Sequence, residues 1–295
     1  MNILALDIGG TAIKVAMVEP NGKILNSNEY PSEGKRGGEH IMKKVCQIIS
    51  SYDGYDRIGI STAGQVNPNT GTIVFANENI PNYTGMKVGK IISNKFKVPV
   101  TVENDVNSAA LGEAYYGAGK YYKDFLCLTY GTGIGGSILI NGEIYGGSQG
   151  VAGEFGHIIT HPGGLDCGCG QKGCYEQYAS TTALVRKCME EDSSFNNGRI
   201  IFEEFHKGNK KIKIIIDNWV DEIVLGLTSL VHVFNPGCLI LGGGILNQEY
   251  IVKEINNKLH NQIMQSFTNV KVKKAGLGNN AGLLGATYLA LQNNI

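Results

Sequence analysis

The sequence carries no excess of charge of either sign: Lys plus Arg and Asp plus Glu each total 26 among 295 residues. A nucleic-acid-binding surface is normally built from a basic surplus, so no nucleic-acid partner is expected. No stretch approaches the roughly 20 uncharged apolar residues of a membrane span. The longest apolar segments, near 231–234 and 238–246, are interrupted by glycine or polar residues. Met1–Asp7 holds no lysine or arginine and carries an acid at its seventh position, unlike an export leader. Seven cysteines are an odd number, and without an export signal they do not suggest a disulfide framework. A cytoplasmic protein with no membrane partner is expected. The phosphate loop G-x-x-x-x-G-K-[ST] is also missing, which excludes the P-loop enzymes. Gly131, Gly133 and Gly136 do satisfy G-x-G-x-x-G, but the residues that follow read as strand and hairpin where a dinucleotide site needs a helix.

What the chain does have is a core-forming composition, 42% hydrophobic and 18% charged, which excludes a disordered or fibrous protein. It also has 41 glycines, well above the usual share of about 7%. They punctuate short apolar runs. Ile3–Asp7 reads as a strand, Gly9-Gly10 as a turn, Ile13–Val18 and Lys23–Tyr30 as further strands. Helices are predicted at Glu39–Ser51 and Gly85–Lys95, and strands at Arg57–Ser61 and Pro99–Glu103. The pattern then recurs: Phe125–Thr129, the glycine turn 131–136, Ser137–Ile140, an Asn141-Gly142 hairpin and Glu143–Tyr145. Helices at Ser180–Glu190, Asn218–Phe234 and Ala281–Leu291 and a buried strand at Cys238–Leu241 complete the reading. Such alternation predicts a two-domain α/β protein with a cleft between related halves.

Four groups of residues suit chemistry. The turns Asp7-Ile8-Gly9-Gly10-Thr11 and Gly131-Thr132-Gly133 expose backbone N–H groups that can cradle phosphate oxygens, with Asp7 placed to hold magnesium directly or through water. Each turn alone reads as a tight hairpin, whereas the pair in duplicated contexts favours phosphate. Cys167, Cys169 and Cys174 lie on a glycine-rich loop with His157 ten residues upstream, the donor set of a closed, structural zinc site. His161 competes as the fourth ligand but sits beside Pro162, and the plainer reading is three buried free thiols. Glu154 and Glu176 flank this loop, so a pinned loop would fix two carboxylates suited to sugar hydroxyls; otherwise they are solvated surface acids. Asn104-Asp105 ends a strand before a helix start. The pair reads equally well as an ordinary helix cap or as a general base with its neighbour.

Asp7-Ile8-Gly9-Gly10-Thr11, Glu103-Asn104-Asp105-Val106-Asn107, the Gly131–Gly136 turn, Gly153-Glu154-Phe155-Gly156-His157, the Cys167–Glu176 block and Leu241-Gly242-Gly243-Gly244 follow one another as in the ROK family, which this chain resembles over nearly its whole length. That family includes bacterial sugar kinases and transcriptional repressors. The resemblance implies an actin/hexokinase-like (ribonuclease H-like) fold of two α/β domains closing on ATP and sugar. The expected boundaries are a smaller domain, 1–117 plus 281–295, and a larger one, 118–280, carrying the zinc loop. It implies Asp105 as catalytic base and Gly64, Asn79, Asn104, Asp105, Glu154, His157 and Glu176 at the sugar. His157 would use one ring nitrogen for zinc and the other for sugar. ATP and Mg2+ would meet Asp7, Gly9, Gly10, Thr11, Gly131, Thr132 and Gly133, with Gly243 near the adenosine. Ala12 departs from a lysine common in the family, and Ala63-Gly64 from a Pro-Gly. Asp7 lies so near the N-terminus that no repressor-type winged helix is expected before it. The implied activity is an ATP- and magnesium-dependent kinase acting on a sugar hydroxyl, most naturally the 6-hydroxyl, in a homodimer. N-acetylmannosamine or glucose is favoured as substrate, with fructose or a β-glucoside possible. The second reading is a sugar sensor that has lost turnover.

Overall fold

A computed structural model describes residues 1–292. The chain divides into two compact units, Met1–Lys123 with Ile138–Ala152 and Gly276–Ile295, and Asp124–Ser137 with Gly153–Ala275. These boundaries differ from the sequence expectation, and the first unit is the larger. Hydrogen bonds explain the shift. Tyr115 Oη donates to the Gly142 carbonyl, and Gly142 N–H to the Lys123 carbonyl. The buried Glu113 carboxylate accepts the backbone N–H groups of Ala118, Gly276 and Leu277 at 2.8–3.0 Å.

The first sheet begins with β1 (Ile3–Ile8), β2 (Ala12–Val18) and β3 (Ile24–Pro31), an antiparallel meander. Helix α1 (Gly38–Ile49) follows, then β4 (Arg57–Thr62), the small hairpin of β5 (Gln65–Asn67) and β6 (Thr72–Phe75), and helix α2 (Val88–Phe96). β7 (Val100–Asn104) leads into α3 (Asp105–Tyr116). The sheet order is β3-β2-β1-β4-β7, with β4 parallel to both β1 and β7. Strand alternation sorts the two faces. Leu4, Leu6, Ile8, Ile13 and Val15 pack with Ile41, Val45 and Ile49 of α1. Ala5, Ala16 and Val18 meet Leu283, Leu284 and Ala286 of the last helix.

The second sheet repeats the plan. It is built from β8 (Phe125–Tyr130), β9 (Ile134–Ile140), β10 (Glu143–Ile144), β11 (Cys238–Gly242) and β12 (Lys271–Lys274), in the order β10-β9-β8-β11-β12. β8 and β11 are buried almost throughout, as parallel strands covered on both faces are. Between β10 and β11 the chain forms α4 (Glu176–Ala179), α5 (Thr181–Glu191), α6 (Gly198–His206) and α7 (Lys210–Phe234). After β11 come α8 (Glu249–Gln262), β12 and finally α9 (Ala281–Gln292). α7 starts eight residues before the sequence reading placed it, because the Asn209 side chain caps it by accepting from Lys211 and Ile212 N–H. No helix among the described residues is long and apolar enough to cross a membrane.

Small residues bring α9 close to its neighbours. A Cβ on Gly285 would overlap the Ser108 carbonyl, one on Gly112 the Ala281 carbonyl, and one on Gly59 the Ala286 carbonyl. This glycine seam sets the depth at which α3, and so its first residue Asp105, lies against β4.

Candidate active site

In the first unit, Asp7 stands near the end of β1, opposite Ser61 in the parallel register with β4. Ser61 Oγ donates to Asp7 Oδ1 at 2.7 Å. Burial raises the Asp7 carboxyl above its ordinary range, outweighing the Ser61 hydrogen bond and the Lys14 charge that pull the other way. The turn after β1 closes with Gly9 N–H donating to the Ala12 carbonyl at 2.9 Å. Its floor is tight, since a Cβ on Gly9 would lie 3.3 Å from that carbonyl oxygen.

At the end of β7 the cap reading of Asn104-Asp105 is seen directly. Asn104 is the cap: its Oδ1 accepts Val106 N–H at 2.9 Å and Asn107 N–H at 3.1 Å. Its Nδ2 donates to the Gly64 carbonyl at 2.9 Å and to Asp105 Oδ1 at 2.8 Å. Gly64 has φ +96°, and a Cβ there would lie 2.8 Å from the Phe75 carbonyl oxygen, so only glycine fits. Val106 N–H also donates to Asp105 Oδ1, at 2.9 Å. Despite these donors, burial and then the negative charge of Asp7 push the Asp105 carboxyl up to about 6. Behind it, the buried Glu103 accepts Asn104 N–H at 2.8 Å and Asn107 Nδ2 at 3.2 Å. Asn79 lies beside the first glycine turn, its Cβ 3.8 Å from where a Gly10 Cβ would be. The first unit therefore gathers Asp7, Gly9, Gly10, Thr11, Gly64, Asn79, Asn104 and Asp105. Ser61 and Glu103, which sequence reasoning missed, support them.

In the second unit, Gly131 N–H donates to the Gly133 carbonyl at 3.0 Å, closing the second glycine turn around Thr132. Glu176 stands over it. A Cβ on Gly133 would lie 2.5 Å from Glu176 Oε2, and Ile134 N–H donates to that oxygen at 3.4 Å. Gly243 has φ +118°, and a side chain there would overlap the Tyr130 carbonyl. Glu154 sits exposed in the turn just before His157.

His157, Cys167, Cys169 and Cys174 come together with one ligand atom each, all within 4.8 Å of one another. His157 Nδ1 is 3.7 Å from Cys167 Sγ, and the Cys169 and Cys174 sulfurs are 3.6 Å apart. Cys167 Sγ also lies 3.2 Å from Glu176 Oε1. Three soft sulfurs and one imidazole suit zinc by donor chemistry. His161 is elsewhere: its ring stacks on Tyr178 at 3.8 Å and its Nε2 is 3.5 Å from Glu222 Oε2. Among the described residues the fourth member of the cluster is His157.

Two sheets of identical strand order, each opening on a glycine turn, place the chain in the actin/hexokinase-like class of α/β proteins. A family model described as the ROK family matches residues 3–293. An uncharacterised protein of Clostridium perfringens is 37% identical over 298 residues, covering 98% of this chain and 97% of that one. The beta-glucoside kinase of Listeria monocytogenes is 32% identical over 300 residues, covering 99% and 98%. The solved ROK family glucokinase from Streptomyces griseus, in complex with glucose and AMPPNP, is 32% identical with a TM-score of 0.86, covering 99% of this chain and 100% of that one. The chain belongs to the ROK family, within its class of sugar kinases.

Proposed function

We propose that this ROK-family sugar kinase transfers the γ-phosphoryl group of ATP to a hydroxyl of a hexose or N-acetylhexosamine, the 6-hydroxyl by preference, with Asp105 as general base. The observation that carries the reading is the Asp105 carboxyl itself. It is held by Asn104 Nδ2 and Val106 N–H, sits beside Asp7, and is raised to about 6. At that value it is mostly ionised at neutral pH yet basic enough to accept a proton as the alcohol becomes nucleophilic. The sugar oxygen forms its bond to the γ-phosphorus as the bond to the β-phosphate oxygen breaks; the hydroxyl proton ends on Asp105 and ADP leaves. Gly64, Asn79, Asn104, Glu154, His157 and Glu176 orient the sugar. The turns Gly9–Thr11 and Gly131–Gly133 cradle the phosphates through the N–H groups not used to close them, those of Gly9 and Gly131 being donated to the Ala12 and Gly133 carbonyls, and Gly243 leaves room beside the adenosine. Positioning and charge neutralisation supply most of the acceleration.

Asp7 suits magnesium, which when bound neutralises phosphate charge. His157, Cys167, Cys169 and Cys174 suit a structural zinc, which would brace the loop bearing Glu154 and Glu176. N-acetylmannosamine and glucose are the favoured substrates, with the β-glucoside named for the Listeria relative and fructose behind them. The same reading includes a cytoplasmic homodimer, tested by sedimentation. The deciding experiment measures ADP release with MgATP for glucose, N-acetylmannosamine, N-acetylglucosamine, fructose and cellobiose. One sugar should give a rate well above the blank. If none does while calorimetry still detects sugar binding, the protein is a sugar sensor and the kinase mechanism falls.

A further inference from the structure

The segment after β3 is stitched between the first glycine turn and residues 77–82. Ser32 N–H donates to the Thr11 carbonyl at 2.8 Å, and a side chain on Gly34 would overlap the Gly10 carbonyl oxygen. Gly38 N–H donates to the Pro81 carbonyl at 2.9 Å, and a Cβ on Gly37 would lie 2.9 Å from the Pro81 oxygen. Gly34–Arg36 make a single tight turn between these anchors, and Lys35 projects from it. Its neighbours address the Glu33 carboxylate: Arg36 at 2.8 Å, His40 at 2.8 Å and Lys44 at 3.5 Å. Lys35 points elsewhere. Its Nζ donates to the Glu78 carbonyl at 3.1 Å and to Asn79 Oδ1 at 3.3 Å.

We infer that Lys35 is a positioning residue for sugar recognition, acting by fixing which end of the Asn79 amide faces the substrate. The inference rests on the sugar-kinase reading, in which Asn79 meets the sugar. An ammonium group offers only protons, so it selects the amide oxygen and leaves Nδ2 with its two donors free. Asn79 then reads a sugar oxygen as an acceptor. The backbone of Asn79 is held independently, its N–H donating to Asn77 Oδ1 at 3.0 Å, so the side-chain torsion is what Lys35 controls. Lys35 is exposed, and an exposed contact of this kind adds little to folding stability. Its removal divides the amide between two orientations, one of which presents a lone pair to a lone pair. Apparent affinity falls with the competent fraction.

The test compares Lys35→Met, Lys35→Arg, Asn79→Ala and the double variant Lys35→Met/Asn79→Ala. Dissociation constants for D-glucose and N-acetylmannosamine come from calorimetry, and steady-state kinetics use the sugar that is turned over. Lys35→Met should raise the sugar KM and Kd roughly three- to tenfold with kcat within about twofold, from the reduced competent fraction. Lys35→Arg, which keeps the donors, should recover most of the loss, and Lys35→Met should add nothing once Asn79 is alanine. An equal loss in the Asn79→Ala background would overturn the inference, as would an unchanged KM. The side-chain 15NH2 signals of Asn79, identified by their loss in Asn79→Asp, give a readout independent of turnover. They should move in Lys35→Met and stay in Lys35→Arg. A wild-type protein that handles no sugar would sink the kinase reading alone, while unmoved Asn79 signals would sink this one alone.

Discussion

Replacing Asp105 by asparagine should abolish turnover and at the same time make the protein more stable at neutral pH. The carboxyl is raised from its ordinary 3.8 to about 6, so the folded protein binds a proton more tightly than the unfolded chain does. The unfolding free energy therefore falls as pH rises from about 4 to about 6, and the whole penalty is present above that window. At about 1.36 kcal/mol per pH unit the full separation is roughly 3 kcal/mol, and partial solvent access reduces the expected figure to about 1–2 kcal/mol. Asparagine keeps Oδ1 as the acceptor for Asn104 Nδ2 and Val106 N–H, and removes the charge that Asp7 repels. The assay is thermal unfolding of both proteins at pH 4 and pH 7.5. Asp105→Asn should melt about 3 °C or more above wild type at pH 7.5, and the gap should close at pH 4, where the wild-type carboxyl is protonated. An Asp105→Asn protein no more stable at pH 7.5 than at pH 4, relative to wild type, would refute the claim that the site holds its charge against the fold. Near-normal turnover would remove Asp105 from the mechanism.

In the wild type, kcat/KM should be flat above about pH 7 and fall about tenfold per pH unit below about 6, as Asp105 takes up its proton; a profile flat to pH 5 would contradict the assignment. Cys174→Ser should remove one zinc per chain, read by atomic absorption, and weaken sugar binding about tenfold or more, whereas Asp105→Asn keeps its zinc. Zinc-free wild type with full sugar affinity would detach the loop from the site. Gly285→Ala drives a Cβ into the Ser108 carbonyl and should cost roughly 3 kcal/mol in urea unfolding, whereas Gly198→Ala, whose Cβ would meet nothing nearer than the Ile245 side chain at 3.5 Å, should cost far less.

The site was legible in the sequence to the extent that its chemistry is local. Asp7 with its glycine turn, Asn104-Asp105 and the cysteine block each lie within a few residues, so composition and spacing exposed them. Ser61 was not legible, because its tie to Asp7 arises only when β1 and β4 pair in register across more than fifty residues. Glu103 lies at the end of a predicted strand, and its hydrogen bond from Asn107 follows from the backbone turning into α3. α8 shows the opposite failure. Ile251, Ile255 and Leu259 recur at helical spacing and are buried, a stripe that the polar residues of the helix obscure in the sequence. The grouping of 138–152 with the first unit could not be read at all, since it depends on contacts of Gly142 with Lys123 and Tyr115.

The duplicated sheets differ at the strand that leads into each glycine turn. Asp7 on β1 pairs with Ser61 on β4, while the matching position on β8, Thr129, pairs with Gly242 on β11. The first copy thus places a carboxylate and a hydroxyl side by side at the mouth of its glycine turn. The second places a threonine beside a residue with no side chain. Backbone N–H groups survive in both turns, so phosphate oxygens can be met in either half. The charge that adds to burial in raising the Asp105 carboxyl, that of Asp7, exists in only the first.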